Sequence, residues 1–225
     1  MGSFVGQVVT IAGKDLRLEL RSRERIVSML TFAVLVAVVF SFALDPGVNA
    51  RTVAGAMLWV TILFAGMLGL GRSFALEREQ EAMTGILLAP VDRGALFLGK
   101  LIANLTLLLA TELVVFVVYA LFFQLSYWRT LGGVVLVVVL ASVGFMVLGT
   151  LFSAMAMSTR LGETILPVLI LPLLIPVVIF AASSTQRLIA GRPLAEVVGS
   201  LRMLAVFDLI FLIVSVLLFG AVVEE

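Results

Sequence analysis

The chain has 225 residues, of which 62% are hydrophobic and only 13% are charged. A soluble domain is close to half apolar and a quarter charged, so this composition predicts a protein embedded in a lipid bilayer. Cysteine and histidine are both absent, which excludes disulfides, thiolate nucleophiles, imidazole bases and His/Cys metal sites built from this chain. The net charge of +1 gives no indication of nucleic-acid binding.

The N-terminal segment, residues 1–25, is predicted to form a cytoplasmic interfacial helix. Its apolar residues fall on one stripe at helical spacing, and basic residues lie opposite. The apolar stripe contains Val5, Val8, Val9, Ala12, Leu16 and Leu20, and the basic face contains Lys14, Arg17 and Arg21. Such a helix lies along the anionic inner leaflet and sets the height of the first span. A simple positively charged anchor explains the same residues and is compatible with this interpretation.

Six apolar stretches are long enough to cross about 30 Å of hydrocarbon as helices. They cover residues 26–44, 53–70, 101–123, 131–157, 164–182 and 203–223. Few charges interrupt them, and none alternates in the manner of a strand. We therefore predict an all-α polytopic membrane protein, with residues 1–225 forming a single transmembrane domain.

The basic residues are distributed unevenly between the two sides of this arrangement. The N-terminal side holds Lys14, Arg17, Arg21, Arg23, Arg25, Arg72, Arg78, Arg93, Lys100 and Arg160, and the other side holds Arg51, Arg129, Arg187, Arg192 and Arg202. Because basic residues are enriched on the cytoplasmic side of membrane proteins, both termini are expected in the cytoplasm.

A polar segment, residues 72–94, separates the second and third spans. Residues 72–88 are predicted to form a short cytoplasmic helix that ends before Pro90. Asp92 is placed to cap the next helix, which is expected to begin near Gly94. The segment is short and carries both charge signs, which suits a docking surface for another protein better than a catalytic domain. A solvated loop helix would have a similar composition.

Two spans are rich in small residues, which let helix backbones approach closely in lipid. They are Gly66, Gly69 and Gly71 in the second span, and Ser142, Gly144, Gly149 and Ser153 in the fourth. We expect these faces to pack against other helices.

The fifth span contains Pro167, Pro172 and Pro176. Each proline removes a backbone donor and crowds the preceding turn, so a kinked or broken helix is predicted. Residues 183–202 are too polar to span and are predicted to form a periplasmic re-entrant or interfacial segment.

Two carboxylic acids fall inside predicted spans. Glu112 lies near the middle of the third span, and Asp208 lies about five residues inside the sixth. An ionisable group in hydrocarbon costs roughly 3 kcal/mol and is expected to face the bundle interior with a partner. Asn104 lies two turns before Glu112 on the same face. We expect a role for Glu112 in substrate passage or conformational gating. Asp208, near the interface and able to reach water, is a weaker candidate for such a role.

The residues from Glu77 to Lys100, read as E-R-E, L-L-A-P-V-D-R and L-G-K, resemble the cytoplasmic coupling segment of ABC-2-type transporter permeases. Within that superfamily, three stretches resemble the CcmB family of haem-exporter subunits in bacterial cytochrome c maturation. They are residues 15–25 (DLRLELRSRER), 86–93 (ILLAPVDR) and 170–182 (ILPLLIPVVIFAA). The resemblance covers essentially the whole chain.

This resemblance implies a permease subunit of the bacterial inner membrane, present as two copies with a CcmA ATPase dimer that binds ATP and Mg²⁺. CcmC, CcmD and the haem chaperone CcmE are implied as further partners, with haem bound by those proteins rather than by this chain. The tryptophan-rich haem-binding motif of CcmC is missing, since Trp59 and Trp128 stand apart. No catalytic or metal-binding residue is expected here.

The subunit is then expected to couple ATP hydrolysis to haem export or to the release of haem-loaded CcmE. Pro90 would set the bend that passes motion to the third span. The residues implied at the ATPase contact are Glu77, Arg78, Glu79, Glu81, Leu87, Leu88, Pro90, Asp92 and Arg93. One alternative is an ABC-2 permease for a lipid-linked glycan or drug.

An intramembrane enzyme built on Glu112 and Asp208 is a remote alternative, since the sequence offers no base, nucleophile or metal cluster beyond those acids. The spacing from Gly94 to Lys100 imitates a nucleotide-binding P-loop. Leu101, however, occupies the position that needs Ser or Thr to hold magnesium, and no strand precedes the segment. We therefore expect no ATPase site in this chain.

Overall fold

The computed structural model describes residues 3–45, 47–79, 91–157 and 162–224. Within these ranges the chain forms α-helices and short 3-10 turns, with no strand. The helices are α1 (Phe4–Ser22), α2 (Glu24–Ala43), α3 (Ala54–Glu79), α4 (Arg93–Phe122), α5 (Leu131–Met157), α6 (Gly162–Ile189) and α7 (Val198–Glu224). In this part of the chain, six helices, α2 to α7, are long and apolar enough to cross a membrane. The predicted all-α architecture with six spans is confirmed.

A single residue separates α1 from α2. Arg23 adopts a left-handed conformation with φ of 58°, and its backbone N–H closes α1 on the Glu19 carbonyl. The Glu19 side chain then accepts a hydrogen bond from the backbone N–H of Ile26 at 3.3 Å. Glu19 is buried at this junction, which explains why an acid lies beside the apolar stripe of α1.

Helix α5 lies at the centre of the bundle, packed against α3, α4, α6 and α7. Small residues make these contacts close, as predicted. A Cβ added at Gly66 of α3 would overlap the Phe145 ring of α5, and one added at Gly149 of α5 would overlap Leu70 of α3. The α3–α5 interface therefore depends on glycine at both positions.

The fifth span was predicted to be kinked or broken, and helix α6 contradicts the broken alternative. It continues without interruption from Gly162 to Ile189 through all three prolines. Pro172 and Pro176 are four residues apart and share the exposed face of the helix, so the hydrogen bonds on the packed face are retained. In a membrane, neighbouring helices further support a helix that lacks individual backbone bonds.

The predicted interfacial segment 183–202 is also divided differently. Residues 183–189 complete α6, residues 198–202 begin α7, and only 190–197 connect them. The polarity of the first part reflects bonds between helices. Trp59 donates its indole N–H to the Thr185 hydroxyl at 2.9 Å, and the Gln186 side chain accepts from the backbone N–H of Gly55 at 2.8 Å.

Candidate functional site

The end of the bundle that flanks the polar segment is called here the coupling end, and the opposite end the far end. At the coupling end α3 reaches Glu79 and α4 begins at Arg93. The helix predicted from Arg72 is thus continuous with α3, whose backbone includes Glu77, Arg78 and Glu79. The remaining predicted contact residues Glu81, Leu87, Leu88 and Pro90 lie outside the described residues.

The start of α4 is fixed from two directions. The Asp92 carboxylate accepts a hydrogen bond from the backbone N–H of Ala95 at 3.1 Å, which confirms the predicted N-cap. The backbone N–H of Asp92 itself donates to the side-chain oxygen of Gln7 on α1, also at 3.1 Å. The exit of the polar segment is therefore attached to α1 as well as capped locally.

Helix α1 packs along the first turns of α4, a contact that the sequence did not indicate. A Cβ added at Gly99 would lie 2.8 Å from the Ile11 side chain and 3.1 Å from the Val8 carbonyl oxygen. The Lys100 ammonium, which is buried, lies 3.7 Å from the Asp15 carboxylate. α1 is thus both interfacial and part of the bundle, with one side on protein and an adjacent apolar stripe exposed.

A polar network crosses three helices close to the coupling end. Arg25 of α2 donates to the Asn104 side-chain oxygen at 2.9 Å, and the Asn104 amide donates to the Thr150 hydroxyl of α5 at 3.2 Å. Only 4% of Arg25 is exposed, and Thr150 is fully buried. Asn104 therefore lies in a network separate from Glu112, although both occupy α4. In the sequence, Arg25 was identified only as one of the basic residues of the inner side.

Glu112 lies at the middle of the bundle, where its partner is Ser142 of α5. The Ser142 hydroxyl is 2.8 Å from both carboxylate oxygens of Glu112, so one hydrogen serves two acceptors. Only 1% of Glu112 is exposed. The expectation of a partner facing the bundle interior is met by Ser142, a residue that the sequence indicated only as a small packing residue.

Asp208 is deeper in the membrane region than predicted. Because α7 begins at Val198, Asp208 lies ten residues into the helix, about 15 Å from its end. Its exposed fraction is 7%, and it lies beside the backbone of Gly144 on α5. Neither carboxylate oxygen has a hydrogen-bond partner in the described part of the chain. The prediction of an acid close to the interface is therefore wrong.

Glu112 and Asp208 occupy the same level of the bundle. Glu112 lies ten residues before the far end of α4 at Phe122, which again corresponds to about 15 Å. Their neighbours on α5, Ser142 and Gly144, are two residues apart and so point to different sides of that helix. The two acids flank α5 rather than face one another, so the geometry does not form a catalytic pair.

A groove of about 650 Å³ opens between α4 and α5 on the outer surface of the bundle. It runs from the level of Glu112 towards the far end. Apolar side chains line most of it, and Glu112, only 1% exposed, is also among the lining residues. Tyr127 packs edge-on against Phe116 with ring centres 5.9 Å apart, and its hydroxyl donates to the Phe116 carbonyl. Burial raises the pKa of the Tyr127 phenol, which keeps it a donor.

The six apolar helices define a multi-pass membrane protein. The chain belongs to the CcmB protein family, which it matches over residues 7–225. The resemblance carried by residues 15–25, 86–93 and 170–182 is thereby confirmed.

Curated relatives carry a common name. The chain is similar to heme exporter protein B of Rhodobacter capsulatus, with 30% identity over 84% of this chain and 88% of that protein. It is 29% identical to heme exporter protein B of Bradyrhizobium diazoefficiens over 79% of this chain and 80% of the relative. The protein of the same name from Pseudomonas aeruginosa is 28% identical over 81% and 82% of the two chains.

Proposed function

We propose that this chain is the permease subunit of a haem exporter of the bacterial inner membrane, driven by a separate ATPase. The observation that carries the proposal is its membership of the CcmB family over residues 7–225, together with relatives named heme exporter protein B. In this proposal two copies assemble with a CcmA dimer that binds ATP and Mg²⁺. CcmC, CcmD and CcmE complete the assembly and hold the haem, and both termini of this chain lie in the cytoplasm.

The attachment of α1 to α4 supports a mechanical role for the coupling end. ATP-driven closure of the ATPase pair would press on residues 77–93, which connect α3 and α4. Because Gln7 and Asp15 tie α4 to α1, the displaced end of α4 would carry α1 with it. This concerted displacement would then tilt the spans and drive haem export, or release haem-loaded CcmE.

The experiment that tests this proposal reverses two charges at the coupling end. The double variant Glu77→Lys/Glu81→Lys is expressed with its native partners, and both ATP hydrolysis by the complex and the yield of mature c-type cytochrome are measured. We expect hydrolysis to continue while maturation falls roughly tenfold, the effect of about 1.4 kcal/mol of lost coupling. Wild-type assembly and maturation in this variant would contradict the proposal.

The matched control makes the same charge change at the far end. Asp45 and Glu196 are exposed on connections between helices, so Asp45→Lys/Glu196→Lys is expected to leave maturation unchanged.

A pull-down in mild detergent distinguishes haem export from the alternative transport function. Recovery of a CcmA-type ATPase with haem-binding proteins supports haem export, whereas an ATPase recovered without them favours a permease for a glycan or drug.

A further inference from the structure

The groove between α4 and α5 has the shape of a binding site for a third helix. Its α4 side is formed by Leu113, Val117 and Leu121, which recur every four residues and so lie on one face. Val135 and Val139 form a matching stripe on α5. All five side chains are exposed, and the groove extends about 15 Å from the level of Glu112 towards the far end. This surface plays no part in the proposed coupling at residues 77–93.

Glu112 gives the groove a specific polar requirement. Glu112 is one of the residues that line the groove, although only 1% of it is exposed, and the Ser142 hydroxyl supplies one hydrogen to its two oxygens. A carboxylate can accept about four hydrogen bonds, so most of its acceptor capacity is unused among the residues that the structure describes. In hydrocarbon an ionisable side chain is normally paired with another polar group.

We propose that this groove binds a transmembrane helix of a partner protein, and that this helix presents a basic or hydrogen-bond-donating side chain to Glu112. The ridge of one helix fits between two others at ordinary packing distances. A cation or donor at mid-depth complements the carboxylate, and polar contacts of this kind hold membrane helices together.

Two other occupants match this requirement less well. A phospholipid would fill the apolar stripe with acyl chain but would keep its polar head at the interface, about 15 Å from Glu112. A second copy of this chain supplies no suitable cation, because the basic residues of its described ranges lie on α1, near helix ends or, like Lys100, buried. It offers only weaker hydroxyl donors, and that of the exposed Thr106 already donates to the Ile102 carbonyl. A partner helix meets both the shape and the charge of the groove.

The test uses a photo-crosslinking amino acid at Leu113, in the full chain expressed in its own membrane with its native partners. The matched control carries the same probe at Leu209. Each of these exposed leucines directly follows one of the two buried acids and lies at the same depth. We expect the Leu113 probe to form a discrete adduct with a membrane protein, and the Leu209 probe to react with lipid.

The adduct must also depend on the carboxylate. Glu112→Leu is expected to reduce its yield by roughly 3-fold to 30-fold, the range spanned by single interhelical hydrogen bonds in membranes. Val135→Trp blocks the groove from an exposed position without disturbing the core, and is expected to reduce the yield similarly. Val214→Trp, on the exposed face of α7, is its control. Mass spectrometry then identifies the crosslinked peptide, which is expected to carry a basic or donor residue at mid-depth.

A charge exchange completes the test. Where the crosslinked peptide presents Lys or Arg, Glu112→Lys combined with replacement of that residue by Glu is expected to restore the adduct that Glu112→Lys alone abolishes. The proposal is overturned by lipid adducts alone at Leu113, by an adduct with a second copy of this chain, or by a partner peptide without a donor at that depth. A yield that is unchanged in both Glu112→Leu and Val135→Trp would overturn it as well.

Discussion

The polar groups near the coupling end and those at mid-depth are satisfied in different ways. Arg25, Asn104 and Thr150 join three helices through two hydrogen bonds. About two turns further towards the far end, Glu112 shares a single hydroxyl hydrogen, and the Asp208 carboxylate has no partner among the described residues. The first arrangement fastens helices to one another. The second leaves acceptor capacity unused among the described residues, and Glu112 is a lining residue of an open groove.

The largest effect is expected from Arg25→Met, which keeps the apolar stem of the side chain but removes the guanidinium. The change deletes the hydrogen bond to Asn104 and leaves that buried oxygen without its charged donor. A hydrogen bond to a charged group contributes about 1.5–3 kcal/mol, and we expect the free energy of unfolding to fall by that amount. Detergent-induced unfolding in mixed micelles measures it.

The control for this variant is Arg17→Met, the same change at an exposed position of α1. It is expected to alter the free energy of unfolding by less than about 0.5 kcal/mol. Equal losses in the two variants would show that the network does not fasten the helices, and the contrast with mid-depth would disappear.

A smaller effect is expected where α1 meets α4. Asp15 contacts two lysines, of which Lys14 is exposed and Lys100 is buried. Lys100→Met is expected to weaken the docking of α1 by about 1 kcal/mol, a value between those of exposed and buried ion pairs. Hydrogen exchange of the α1 amides would then accelerate about fivefold. Lys14→Met is expected to leave the exchange unchanged, and a similar acceleration in both variants would refute a specific role for Lys100.

The smallest effect is expected at mid-depth. Ser142→Ala removes the hydroxyl that contacts Glu112 and is expected to cost about 0.6 kcal/mol, the average for interhelical hydrogen bonds in membranes. Ser215 is equally buried, and its hydroxyl has no partner in the part of the chain that the structure describes. Ser215→Ala should therefore be neutral in the same mixed-micelle measurement. A cost for Ser142→Ala as large as that of Arg25→Met would contradict the distinction drawn between the two levels.

The properties that sequence predicts well in this chain are local ones. The fourth span has the predicted limits, Leu131–Met157, because the helix begins and ends with the apolar run itself. Asp92 caps α4 as predicted because capping depends on residues within one turn. The close packing of Gly66 and Gly149 also followed from residue size alone.

Contacts between helices were predicted less well. The spacing of Asn104 and Glu112 shows that they share a face of α4, but it does not show which residues of other helices meet them. Thr185 and Gln186 suggested a surface segment because bonds between helices and contact with water both require polar side chains. The packed side of α1 was hidden for the converse reason, since residues that face protein and residues that face lipid are both apolar.

The continuity of α3 has a geometric consequence. Its 26 residues form an unbroken rod about 39 Å long, longer than the hydrocarbon layer. The beginning of this rod is held in place by α6. The Gly55 N–H donates a hydrogen bond to the Gln186 side chain, and the Gly55 backbone lies close to that of Ala182. With the pivot at Gly55, a sideways displacement of about 3 Å at Glu79 would rotate the whole rod by only about 5°. At Gly66, near the midpoint, the shift would be roughly half as large, about enough to disturb a glycine-to-ring contact.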